Sequence, residues 1–169
     1  MENHKLNGDV AEIDCCTILS EKDVRRNGFC PTCGIKGLPV KAITIKALTS
    51  EQWSDYNKIT DGFYCTNPED STVYYIPDNN LVINKLDLLV RVGLKEKVEP
   101  LLVCYCFQHT RSEIEQDFVK NNHSTIEDEI REKVRKDLCS CEILNPKGRC
   151  CLGDVRKTYL KTKVVSIEN

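Results

Sequence analysis

No stretch of this 169-residue chain stays apolar long enough to cross a bilayer, which takes about 20 consecutive apolar residues. The opening MENHKLNGDVAEIDCCTILSEK has no basic segment followed by an apolar one, so no secretory signal is expected either. Net charge is equally scarce. With 24 Lys and Arg against 26 Asp and Glu, the formal charge of −2 leaves no footprint for general nucleic-acid or anionic-membrane binding. No nucleophile–base pair, Gly-rich phosphate loop or pair of catalytic carboxylates stands out, and Gly148 and Gly153 read as turn residues. An independent enzyme is therefore the weakest reading, a metal reductase being the most that is expected. These absences point to a soluble cytoplasmic protein whose partners must be argued from local sites.

What the chain has is cysteine, eleven of them, within a composition that is 40% hydrophobic and compatible with one ordinary domain or two small ones. A reducing cytosol disfavours a disulfide framework, so the thiols point to metal ligation or redox chemistry, as does their odd number.

The chain divides by pattern into three parts. Residues 1–26 read as a polar leader, partly disordered, with a short helix from Ser20 to Arg26. Residues 27–98 read as a β-rich lobe: a cysteine knuckle CPTCG (30–34), an alternating strand VKAITIKAL (40–48), a helix at SEQWSDYN opened by Ser50, then strands at FYC, VYYI and LVI around the turn IPDNN. Trp53, Tyr56, Tyr74 and Tyr75 are expected in its core. The charged GLKEKVEP (93–100) is the linker candidate, and residues 99–169 read as helical. There Thr110 with Glu113 forms a capping box, followed by Ile114, Phe118 and Val119 as an apolar stripe. Ser124 with Glu127 repeats the device before a helix carrying Ile126, Ile130, Val134 and Leu138 on one face, its charged residues 127–137 forming a solvated face. A third helix runs from Leu152 toward Lys161, with Val155 and Tyr159 on one face. The expected class is α+β, a small antiparallel sheet followed by helices.

Cys30 and Cys33 have the C-x2-C spacing that aims two sulfurs at one ion, with Gly34 free to adopt positive φ. Zinc wants four donors; Cys65 is the nearest third, and Glu69, Asp70 and His4 are the candidates for the fourth. Two competing readings are a thioredoxin-like redox pair, whose βαβ context is missing, and a pair of inert thiols. In a lobe of about 70 residues a closed zinc site would brace a core too small to be comfortable alone.

The second set begins with VCYCFQHT (103–110), where Cys104 and Cys106 precede a helix start, and continues with Cys139, Cys141, Cys150 and Cys151. Six thiols around two helices can wrap a polynuclear centre, with free N–H groups at helix starts stabilising anionic sulfur and Lys147 and Arg149 offsetting charge. A second zinc on four of the six competes, although C-x-C with a long helical gap is unlike the short knuckle pairs of structural zinc. Thiols without metal are the third reading. His109 invites a Rieske-type centre, but that needs two histidines on one iron, and His123 lies across a helix. Cys15 and Cys16 read as a solvent-exposed pair with no ligand role, ahead of accessory copper binding or an intermolecular contact.

CPTCG, FYCTNPEDSTVYYI, VCYCFQHT and CSCEILNPKGRCCLGDV together resemble the N-terminal zinc and [2Fe-2S] domain of CopZ-type copper chaperones over roughly residues 27–160. The helical half also resembles bacterioferritin-associated ferredoxin. The resemblance implies Zn2+ on Cys30, Cys33, Cys65 and Asp70, the last standing where many relatives have the second cysteine of C-x4-C. Carboxylate oxygen is an acceptable zinc ligand, so the site is expected intact but looser. It implies a [2Fe-2S] cluster on Cys104 and Cys106 plus one thiol from each later pair, taken here as Cys141 and Cys151 with Cys139 and Cys150 as alternatives. The copper domain of these chaperones, with its Met-x-Cys-x2-Cys loop, has no counterpart before Asn169, and the sole methionine is Met1. Copper delivery by that route is not expected of this chain alone.

The leading functional expectation is one-electron transfer through the cluster to a redox or metal-homeostasis partner, such as a copper chaperone or transporter, with reduction of Cu(II) to Cu(I) as its specific form. The alternative is a non-redox scaffold or sensor module docking to a metal-homeostasis partner.

Overall fold

A computed structural model of the protein describes residues 28–167, so the expected Ser20–Arg26 helix, His4 and the Cys15–Cys16 pair lie outside the described residues. Strands β1 (Leu38–Val40), β2 (Gly62–Tyr64), β3 (Thr72–Ile76) and β4 (Leu81–Asn84) form an antiparallel sheet in the order β1-β2-β3-β4. The register is set by pairs such as Leu38 with Tyr64, Phe63 with Tyr75 and Tyr75 with Val82. All five residues of β3 are buried, because both faces of the strand are covered. Val73, Tyr74, Ile76 and Ile83 make the centre of the main core. Tyr75 packs with Cys30 and Cys65 in a smaller cluster on the other side. Phe63 stacks on Tyr75 with ring centroids 5.5 Å apart. The α+β class expected from the sequence is the class observed, whereas two element assignments inside the sheet unit are corrected.

The first correction concerns VKAITIKAL. Only Leu38–Val40 is strand, and Ala42–Leu48 is a helix, α1. Alternation places Lys46 on the same side as Thr44, while helical spacing buries Thr44, Ile45 and Leu48 together and turns Lys46 outward. Tertiary context favours the helix further: Asp61 accepts a hydrogen bond from the Ala42 amide at 2.8 Å and pairs with Lys41 at 3.0 Å. The Ala42 amide, aided by Lys41, lowers the Asp61 carboxyl below its usual range. A helix start capped by a residue 19 positions away leaves no local trace.

The second correction concerns SEQWSDYN, which makes successive turns and a 3-10 turn at Tyr56–Lys58 instead of an α-helix. The Ser50 carbonyl accepts from the Trp53 amide and the Trp53 carbonyl from the Tyr56 amide, each at 3.0 Å, which tightens the chain before an α-helical ladder can start.

The remainder is a two-stranded hairpin and four helices: β5 (Leu102–Cys104), β6 (His109–Thr110), α2 (Arg111–Asn121), α3 (Thr125–Arg135), α4 (Cys141–Leu144) and α5 (Leu152–Ile167). At Thr110 the capping box is complete: its hydroxyl accepts from the Glu113 amide at 3.3 Å, and the Glu113 carboxylate accepts from the Thr110 amide at 2.7 Å. At Ser124 only half of it forms. The hydroxyl accepts from the Glu127 amide at 3.1 Å, but the Glu127 carboxylate bonds Arg131 and takes the Tyr159 hydroxyl at 2.6 Å. Ile114, Ile130 and Val155 form the second core with Cys104 and Cys151, and Phe118 stacks on Tyr159 at 5.0 Å. Val119 and Leu138, expected on apolar faces, are exposed; Leu138 lies past the end of α3, which stops at Arg135. Among the described residues no helix is long and apolar enough to cross a membrane.

The segment 93–100 is not a free spacer at its start. Gly93 and Lys95 are buried, and the Gly93 amide donates to the Tyr105 hydroxyl at 2.8 Å. A Cβ on Gly93 would meet the Leu102 carbonyl oxygen at 2.2 Å. Gly93→Ala is expected to destabilise the fold by about 2 kcal/mol, read as a lower denaturant midpoint at unchanged slope. An unchanged midpoint would mean that β5 yields at no cost. The two cores are also joined directly. The Thr44 hydroxyl donates to the Glu142 carbonyl at 2.6 Å and the Tyr74 hydroxyl to the Pro146 carbonyl at 2.8 Å.

Candidate metal centres

The knuckle forms because Phe29 and Lys36 bridge across a tight turn, with Gly34 at φ +70° and its amide donating to the Cys30 carbonyl at 2.9 Å. Cys65 follows the last residue of β2, its amide tied to the Val73 carbonyl at 2.9 Å, which places its sulfur opposite the knuckle. Asp70 is aimed from the following turn by the Thr72 amide, which donates to Oδ1 at 3.0 Å and leaves Oδ2 facing the sulfurs. The donor atoms of Cys30, Cys33, Cys65 and Asp70 all lie within 4.8 Å of one another. Cys33 Sγ and Cys65 Sγ are 3.7 Å apart, and Asp70 Oδ2 is 3.4 Å from Cys30 Sγ and 3.6 Å from Cys65 Sγ. Zinc bonds of about 2.3 Å to sulfur and about 2.0 Å to oxygen, set tetrahedrally, give edges near 3.8 Å between sulfurs and 3.5 Å from sulfur to oxygen. The donors present fit that ion.

Burial gives this pocket a need for positive charge. Desolvation raises the Cys30 thiol and pushes Cys65 up to about 12. Burial also works against an ionised Asp70, yet the Thr72 amide and the neighbouring thiols prevail and leave its carboxyl below the usual range. Lys95 also belongs to this site. Only 4% exposed, it donates to the Asn67 carbonyl at 2.5 Å, and its charge favours the Cys65 thiolate. A zinc ion with three thiolates and a carboxylate carries net negative charge, which the Lys95 ammonium offsets. A lysine in a segment read as a linker carried no sequence signal for this role. Glu69 turns outward to Lys97 at 2.6 Å.

The second set is arranged differently. Cys104 ends β5, Cys106 sits in the turn of the hairpin, Cys141 opens α4 and Cys151 immediately precedes α5. Cys106 Sγ lies 3.6 Å from Cys141 Sγ, and the Ser140 amide donates to Cys106 Sγ at 3.4 Å. Cys104 and Cys151 share the second core, and the Cys151 thiol lowers the Cys104 thiol to about 7, with the Phe107 and Cys106 amides and Lys133 assisting against desolvation. Cys104 in turn, together with burial, raises Cys151. Burial and contact with Cys106 raise Cys141 as well, and Cys139 and Cys150 add to that from alongside. The outcome is two sulfur pairs, Cys106 with Cys141 and Cys104 with Cys151. Cys139 is half-buried and Cys150 exposed. Unlike the first set, the six sulfurs supply no group of three metal donors among the described residues. Paired thiols of this kind are soft donors that suit zinc and iron–sulfur centres alike.

The histidines do not converge. His109 Nε2 is buried without a hydrogen bond, 3.8 Å from Glu129 Oε1, and His123 contacts the Asn121 carbonyl at 3.0 Å. Neither joins a group of three metal donors among the described residues.

Residues 27–89 match the family model described as "Zinc binding domain", of the CopZ type. The copper chaperone CopZ of Archaeoglobus fulgidus is 35% identical over 126 residues, 72% of this chain and 57% of that protein. The X-ray structure of the Archaeoglobus fulgidus CopZ N-terminal domain superposes with a TM-score of 0.63 at 29% identity, covering 76% of this chain and 95% of that domain. The match thus spans a little over half of the full-length relative. This chain is a homologue of Archaeoglobus CopZ that carries a zinc-binding domain of the CopZ type, folded as in that protein's N-terminal domain.

Proposed function

We propose that the chain is a zinc-braced [2Fe-2S] electron-transfer protein of copper handling in a reducing cytosol. Its residues 27–98 form the zinc lobe and 99–169 the cluster lobe. Cys30, Cys33, Cys65 and Asp70 hold the zinc; Cys104, Cys106, Cys141 and Cys151 hold the cluster. The observation that carries the reading is the contrast between the two sites: four donors mutually within 4.8 Å in the first, and two separate sulfur pairs in the second. The copper connection rests on homology to a copper chaperone.

A bound [2Fe-2S] cluster supplies a one-electron reservoir. The chain's own contribution is to lower the Cys104 thiol to about 7, through the Cys151 thiol, the Phe107 and Cys106 amides and Lys133. The acceptor is a metal-handling partner, with Cu(II) taking up one electron to become Cu(I). The test is anaerobic mixing of dithionite-reduced, desalted protein with cupric ion. Cu(I) should appear faster than with an equal concentration of dithiothreitol, and a rate no faster than the free thiol would leave a scaffold or sensor module.

The zinc assignment has its own signature. Cys30 and Cys65 are protonated at neutral pH without metal, since burial raises both thiols. Zinc uptake is therefore expected to release protons and to weaken as pH falls, by up to about tenfold per pH unit for each proton released. Calorimetry in buffers of different ionisation enthalpy measures the release, and a value of zero would contradict a thiolate site.

A further inference from the structure

Between the sheet unit and the helical unit lies a cleft of about 620 Å³, lined on one side by Leu38, Tyr64 and Gly93 and on the other by Tyr105, Lys147 and Lys157. Its size falls in the range of small-molecule sites. It contains none of the cysteines described above.

The charge of this cleft opposes that of the chain. Overall the protein is at −2, yet five cationic side chains and only two anionic ones, Glu115 and Asp154, line the cleft. Lys147 is neutralised by Asp154 at 2.8 Å. Arg111, Arg149, Lys157 and Lys161 have no carboxylate within ion-pair distance among the described residues, although three-tenths of the chain is charged. Lys157 and Lys161 are one helical turn apart on α5, and Arg149 faces the same space from the preceding loop. That loop is fixed in place: Asn145, 3% exposed, donates to the Arg149 carbonyl at 2.7 Å and accepts from the Lys147 amide at 3.0 Å.

The cleft floor supplies an independent pointer. Tyr64 is 1% exposed and lines the cleft, yet its hydroxyl hydrogen-bonds to nothing among the described residues. The neighbouring tyrosines all find partners: Tyr74 donates to Pro146, Tyr75 to Gly28, and Tyr105 accepts from Gly93. A tyrosine this buried, lining the cleft, has a hydroxyl able to donate to whatever the cleft holds. A carboxylate seated in the cleft would accept from Tyr64 while its other charges met the arginines and lysines at the rim.

We propose that this interlobe cleft binds a small organic polycarboxylate anion, with one carboxylate on the Tyr64 hydroxyl and the others among Arg111, Arg149, Lys157 and Lys161. A ligand seated there touches both units and favours their present arrangement by mass action.

The probe is tricarballylate, which lacks the hydroxyl that makes citrate a strong metal chelator. Calorimetry on the metal-loaded full chain at low ionic strength should give one saturable site, weakened by added salt, with no binding of the uncharged triamide. Lys157→Ala with Lys161→Ala should weaken binding about tenfold, the equivalent of roughly 1.4 kcal/mol. Tyr64→Phe removes a hydroxyl that has no partner in the fold, so it should leave the denaturation midpoint unchanged and still weaken binding about fivefold. Three results would each overturn the proposal: no saturable heat, equal affinity in the wild-type chain and both variants, or equal binding of sulfate. Saturable binding of polyglutamate without binding of tricarballylate would also overturn it, in favour of an acidic peptide.

Discussion

Cys65→Ser is expected to abolish zinc retention and to unfold the four-stranded sheet. The Cys65 sulfur lies 3.7 Å from Cys33 and 3.6 Å from the Asp70 carboxylate, so it touches donors from both of the other segments of the site. Serine keeps the local volume but offers an alcohol, which zinc does not deprotonate in competition with thiolate. The lobe depends on the ion because the small cluster around Cys30, Cys65 and Tyr75 covers one face of the sheet, and without metal it retains buried donors with no common partner. Loss of the metal should lower stability by more than about 4 kcal/mol, enough to leave a small lobe largely unfolded. Far-ultraviolet dichroism and zinc content of the purified variant measure both effects. A variant that kept its sheet signal and melting temperature without zinc would show the ion to be dispensable.

The second large effect concerns the other set of thiols, where the prediction separates residues that composition cannot. Cys104→Ser is expected to give protein without iron or visible colour, because it removes the buried partner of Cys151 and leaves one of the two sulfur pairs with a single member. Cys150→Ser is expected to keep the colour and the iron. Cys150 is exposed and belongs to neither pair; it influences Cys141 only through its charge. Side-by-side anaerobic expression, with iron per chain as readout, decides the matter. If Cys150→Ser lost its iron and Cys104→Ser kept it, the pairing of Cys104 with Cys151 would be the wrong ligand assignment.

Much of the architecture can be read from local signals. The Thr110 box, the Ser124 cap and the strand VYYI all rest on residues within a few positions of one another, and each is present in the fold. The knuckle was legible for the same reason, since C-x2-C and Gly34 specify a turn with no help from outside. The failures share the opposite cause. The α1 helix depends on Asp61 and on packing against Glu142, neither of which a window around VKAITIKAL contains. Lys95 acquires its place beside Cys65 through burial of a segment whose composition suggests a linker. Choosing among Glu69, Asp70 and His4 as fourth donor was beyond spacing alone; the Thr72 amide turns Asp70 inward while Glu69 reaches to Lys97, and His4 lies outside the described residues.

Two chemically different centres on one chain would leave a composite signature of iron, sulfide and zinc. The most direct measurement is the visible absorption spectrum of anaerobically purified full chain, with iron, acid-labile sulfide and zinc assayed on the same sample. The account predicts brown protein with broad bands that bleach on reduction, and about two iron, two sulfide and one zinc per chain. Colourless protein with about two zinc and no sulfide, persisting after anaerobic reconstitution, would contradict it and leave a double-zinc binding module.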